Sequence, residues 1–102
     1  MEKLEFKGTK GKWVTRISGY KDYCCVESVE NNKKVNDVWW VTVNENLPDE
    51  FEKQKANAKL IAAAPDLLKS SIKMSKAISN GDQHLLSEAN LELKTAINKA
   101  LK

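Results

Sequence analysis

The sequence is poor in the residue types that most protein chemistry needs. It has one histidine, His84, and two cysteines, Cys24 and Cys25, which are neighbours. Adjacent residues on a strand point to opposite faces, so a disulfide between them would be strained. No CxxC or Cys/His spacing exists for zinc. The two thiols therefore read as small reduced hydrophobes, which places the protein in the cytoplasm. Arginine is nearly missing: of 17 basic residues all but Arg16 are lysine. Base readout and tight phosphate contact both favour the guanidinium fork, so sequence-specific DNA binding is not expected. Glycines are few and build no phosphate-cradling loop, and no serine or cysteine has an identifiable base. His84 reads as an exposed helix residue, and Asp49, Glu50 and Glu52 as acids suited to a helix start. No enzyme is expected from such a set, with no catalytic residue, metal or cofactor. Long apolar runs are also lacking. The opening MEKLEFKGTK does not look like a secretory signal, and no stretch approaches the length of a membrane span.

What is present suits one small folded domain. The 102 residues are 41% hydrophobic and 30% charged, with a formal net charge of +3, which fits a globular chain with a mixed, solvated surface. Residues 12–18 and 23–29 read as strands, joined by a turn at 19–22, and 30–34 as a polar hairpin tip. Residues 38–43 are the clearest strand: period two sets Trp39, Val41 and Val43 on one face, toward the helices, and Val38, Trp40 and Thr42 on the other. Trp40 should look outward or into a second interface. Pro48 and Asp49 announce a helix, with Asp49 and Glu52 spaced as a capping box. Pro65 should kink this helix or restart it, because proline removes one intrahelical hydrogen bond and crowds the preceding turn. Asn80-Gly81 should end the helix. A last helix from about residue 82 to 101 then carries Leu86, Leu93, Ile97 and Ala100 on one face. The expected fold is a single α+β domain over 1–102: an antiparallel sheet of three or four strands in 1–46, then a helical hairpin in 49–102. The apolar helix surface exceeds what so small a sheet can cover, so a homodimer or higher even oligomer is expected.

The most distinctive stretch is Ala56-Asn57-Ala58-Lys59-Leu60-Ile61-Ala62-Ala63-Ala64-Pro65-Asp66-Leu67-Leu68. Its alanines allow close helix packing, while Asn57, a mediocre helix former, serves either a ligand or a local structural bond. The stretch resembles a signature, roughly ANARLIAAAPELLEAL, of small proteins of tailed bacteriophages. Gly11-Lys12-Trp13 and the closing Thr95-Ala96-Ile97-Asn98-Lys99-Ala100-Leu101 look like the two ends of those proteins. Lys12 stands where the family often has proline, and Lys59 where it has arginine. The plan of a small sheet followed by a helical hairpin is also similar to the phage Thoeris anti-defence family. That resemblance implies an oligomeric sponge in the host cytoplasm that captures, without cleaving, a cyclic ADP-ribose signal or a cyclic oligonucleotide. On that reading Trp13 and Trp40 would stack a base, Arg16 and Lys59 would neutralise phosphate, and Asn57 would orient the ligand. Trp13 has an equally good use as a core anchor, and Lys59 as a solvated helix residue. The alternative is a phage accessory protein that binds and inhibits a host protein through its exposed aromatic and helical faces.

Overall fold

A computed structural model of the chain describes residues 5–20, 22–43 and 49–102. Leu4, Pro48 and the expected end of the sheet half at 44–46 lie outside the described residues. Three strands, β1 (Lys12–Ile17), β2 (Tyr23–Glu30) and β3 (Lys33–Thr42), precede two helices, α1 (Glu50–Asn80) and α2 (Gln83–Leu101). The strands form one antiparallel sheet in the order β1-β2-β3. The architecture is α+β, as the residue pattern indicated.

The β2–β3 hairpin turns through Asn31 and Asn32, both with positive φ (52° and 65°). A two-residue loop needs this left-handed geometry to match the twist of its strands, and asparagine tolerates it. β3 therefore begins at Lys33, five residues before the apolar run that identified it. Two register shifts interrupt its pairing with β2: Val26 pairs with Trp39 but Glu27 with Asp37. The residue skipped, Val38, packs against the core together with Trp39 and Val41. Strict alternation had put Val38 on the outer face, and the bulge turns it inward.

The inner face of the sheet meets α1. Cys24, Val26, Val43, Ala58 and Ala62 form the buried cluster, with Trp13, Ile17, Phe51 and Ile61 packed around it. The Thr15 hydroxyl donates to the Ala58 carbonyl at 3.4 Å. The core is thin: the largest side chains that are fully buried are Val26, Cys24 and Ser28. Val26, the one aliphatic side chain of the three, contributes about 1.5–3 kcal/mol.

α1 starts without the expected capping box. Asp49 has helical backbone angles (φ −89°, ψ −7°) and makes no side-chain cap bond. A capping side chain needs an extended backbone to swing over the first turn. Asp49 instead accepts from the Lys53 amide through its own carbonyl. The helix then runs unbroken through Pro65, so the restart expected there does not occur. Burial on both sides of the proline, at Ala58, Ala62 and Ala63 before it and Ser70 and Ala77 after it, offsets the one hydrogen bond lost. The end is as expected. Gly81 adopts φ 64°, its amide donates to the Ile78 carbonyl, and the Asp82 amide donates to the Ala77 carbonyl; these two bonds are those of a Schellman motif. Asp82, with extended angles, caps α2 by accepting from the Leu85 amide at 3.0 Å.

Ala63, Ser70 and Ala77 recur every seven residues on α1, and Ala89, Ala96 and Ala100 are the buried residues of α2. These small residues let the two helices of the hairpin lie close together. Ion pairs fix its register: Lys99 with Asp66 at 3.2 Å, and Lys73 with Glu92 at 2.9 Å and Glu88 at 3.5 Å.

Candidate functional site

The five residues singled out by sequence fall in three places. Trp13 belongs to the inner side, where the segment before β1 lies across α1. Its indole Nε1 donates to the Thr9 carbonyl at 3.2 Å, and Phe6 meets its ring edge-on with centroids 6.1 Å apart. With Ala64, Pro65, Leu68 and Ile72 these rings line a pocket of about 470 Å³. The pocket is apolar, and the indole N–H is already used, so Lys69 and Glu5 supply its only side-chain charges.

Arg16 and Trp40 come together on the outer face, opposite the one that packs on α1. Cys25 lies between them, paired with Arg16 on β1 and with Trp40 on β3. Trp40 is 56% exposed, and one of its faces stacks on Tyr23 at 5.7 Å with a 25° interplanar angle. Glu27 is buried beneath two cations, its Oε1 2.8 Å from Arg16 Nε and its Oε2 3.2 Å from Lys34 Nζ. Lys34 also reaches Asp37 at 2.7 Å. Its bonds to Asp37 and then Glu27 hold the ammonium pKa above its ordinary value. Cys25 is covered by this same layer, and burial, with Glu27 adding to it, pushes its thiol pKa up. Cys24, on the inner face, is raised by burial as well. Thiols that resist ionising make poor nucleophiles.

Asn57 and Lys59 share the third place, a groove of about 360 Å³ between the first turns of α1 and the end of α2. Glu52, Lys55, Leu60 and Leu101 complete its working surface. Asn57 is exposed, and its amide donates to Gln54 Oε1 at 3.1 Å, while Gln54 in turn donates to Glu50. The Asn57 carbonyl oxygen and second N–H have no partner among the described residues. Lys59 Nζ donates to the Lys102 carbonyl at 3.2 Å. Leu60 and Leu101 leave 54% and 75% of their surface exposed at the rim.

Sequence reasoning missed Tyr23, Glu27, Glu52 and Lys55. Lys55 stands four residues before Lys59 and Glu52 one turn before that, so helical spacing alone could have grouped these three, whereas Asn57, two residues from each lysine, falls outside that pattern. Nothing in the sequence marks Glu27 as buried, since its burial depends on residues of two other strands. Among the described residues no group of three or more His, Cys, Asp or Glu side chains is placed to hold a metal ion, and no helix is long and apolar enough to cross a membrane.

The molecule is thus a small sheet backed by a long helical hairpin, with open surface sites of amide, ammonium and aromatic groups. The chain belongs to a phage protein family, the one described as Salmonella phage P22 protein Y8K6, whose family model matches residues 1–102. The match places it among phage proteins, the origin that the resemblance implied. No curated protein and no solved structure matches it.

Proposed function

We propose that the protein is a phage anti-defence sponge, which binds a cyclic nucleotide signal of the cyclic ADP-ribose or cyclic oligonucleotide type and holds it uncleaved. The observation that carries this reading is the free edge of Asn57 in the groove with Lys55 and Lys59. A structural asparagine in a helix ties its amide to backbone or to a buried group. Asn57 is exposed, bound only to a side chain on its own helix, and keeps one donor and one acceptor for the edge of a base. Lys55 and Lys59 supply positive charge for a pyrophosphate, Glu52 can accept from a ribose hydroxyl, and Leu60 and Leu101 give a base an apolar wall. The groove lining contains no thiol, hydroxyl or imidazole, and its one carboxylate, Glu52, has no second carboxylate in the lining to pair with, which suits capture without cleavage.

The Trp13 pocket lies where the sheet meets the helix. Its apolar lining offers a nucleotide few polar partners, so the groove at Asn57 is preferred. Calorimetry with cyclic ADP-ribose isomers and cyclic trinucleotides is the test, with the ligand recovered intact by mass spectrometry. Asn57→Ala should weaken binding about ten- to a hundred-fold while leaving the fold unchanged. Well-folded wild-type protein that gives no heat with any of these ligands would remove the sponge reading.

A further inference from the structure

We propose that the open outer face of the sheet is a stacking platform for single-stranded RNA, separate from the groove at Asn57. The face has the parts that such binding uses: an aromatic ring with one side free, cations on the same strand and two strands away, and hydroxyl or carboxylate groups near them. Trp40 rests on Tyr23 and covers Cys25, so one side of its indole is backed and the other is open to a base. Arg16 lies two strands away in the same row, about 10 Å from Trp40 along the sheet. That spacing suits a base on the indole with a backbone phosphate over the guanidinium.

Charge favours the same occupant. Lys12, Arg16 and Lys34 lie on this face with two acids, Glu27 and Asp37. Glu27 is 5% exposed at its side chain and is covered by the two cations it binds, whereas Arg16 is 62% exposed and Lys34 46%. The buried acid thus fixes two cations at the surface and shows little charge itself. Arg16 commits only Nε to Glu27, leaving its outer nitrogens for phosphate oxygens. An aligned two-fold pairing of two copies through this face would set these cations against their own kind. RNA is favoured over DNA by Asp37, whose Oδ2 has no partner among the described residues, and by the exposed Thr42 hydroxyl. Thr42, paired with Tyr23, can bond a ribose 2′-hydroxyl beside the aromatic pair, and Asp37, across from Glu27, can bond one further along the face.

Fluorescence anisotropy of a labelled oligouridine, at about 50 mM salt to keep phosphate contacts strong, tests the proposal. Wild-type protein should bind it, more tightly than a matching oligothymidine. Trp40→Ala should weaken binding about tenfold, and Arg16→Gln should reduce the salt dependence by about one phosphate contact. Asn57→Ala should leave RNA binding unchanged while weakening nucleotide capture, which keeps the two readings separable. Circular dichroism checks that each variant is folded, and the Arg16→Gln slope remains decisive if Trp40→Ala is not. The proposal is overturned by folded wild-type protein that leaves the anisotropy unchanged, or by binding indifferent to both substitutions. Oligothymidine bound as tightly as oligouridine would overturn the assignment to RNA. A change of oligomeric state in Trp40→Ala, with RNA binding kept, would mark the face as an interface between copies instead.

Discussion

Single residues on the two faces of β2 have different tasks. Cys24 points into the core and Cys25 lies under the outer layer of Arg16 and Trp40, and burial raises both thiols above their ordinary value. Neither should react appreciably with a thiol reagent at neutral pH in the folded protein, and both should react at once in denaturant. Rapid modification of Cys25 under native conditions would mean that its cover is not held in place. Glu27 holds the Arg16 part of that cover, and Tyr23 backs the Trp40 part. Glu27→Gln removes two charge-assisted bonds, to Arg16 and Lys34, and should cost about 1–3 kcal/mol, measured by urea unfolding. The value belongs toward the low end, because both cations stay solvated when the acid is lost. The outward turn of Trp40 was legible from alternation alone, since Trp39, Val41 and Val43 took the inner face. The cover over Cys25 and Glu27 was not, because it is assembled from three strands whose register no local pattern states.

At the scale of elements, the sheet was read correctly where alternation is strict and misread where a bulge shifts it. Val38 is the instance: one unpaired residue sends it to the core, and a bulge leaves no mark in a run of β-branched and aromatic residues. The helix end at Gly81 was legible because its left-handed geometry demands glycine. The passage of α1 through Pro65 was not, since it depends on packing against both the sheet and α2. Pro65→Ala would restore a donor to the Ile61 carbonyl and should raise the melting temperature, by a gain of up to about 3 kcal/mol. A lower melting temperature would show that the ring's contacts in the Trp13 pocket outweigh the missing hydrogen bond. The clamp between the helices is also testable. The hydrogen bond from Lys73 to Glu92, aided by Glu88, holds the ammonium pKa above its ordinary 10.5. A raised pKa stabilises the fold fully below the unfolded value and loses that effect as pH rises through the folded one. The stability gap between wild type and Lys73→Met should therefore persist at neutral pH and close only in strong alkali.

The whole molecule is longer than its chain length leads one to expect. Its radius of gyration is 16.3 Å and its extents are 53 × 26 × 24 Å, against about 13 Å for the radius of a compact domain of this size. The excess comes from the hairpin. A helix of 31 residues is about 47 Å long, whereas the buried cluster it shares with the sheet uses Ala58 and Ala62, near its start. Beyond Pro65 the buried positions of α1 are Ser70 and Ala77, those on the seam with α2. The fully buried positions of this arm are small side chains, with Ile72, Leu86 and Leu93 only half-buried beside them. Ile78 and Leu91 in this arm remain 66% and 68% exposed. Such an arm is marginal by itself, which supports the expectation of a homodimer or higher even oligomer with the helical half at the interface. Hydrogen exchange at two protein concentrations separates the possibilities. If copies associate through the arm, its amides should be protected like those of β2 when the protein is concentrated and should open on dilution, in step with dissociation seen by light scattering. A protein that stays monomeric at micromolar concentration, with arm amides exchanging fast at every dilution, would show that the hairpin stands without a partner.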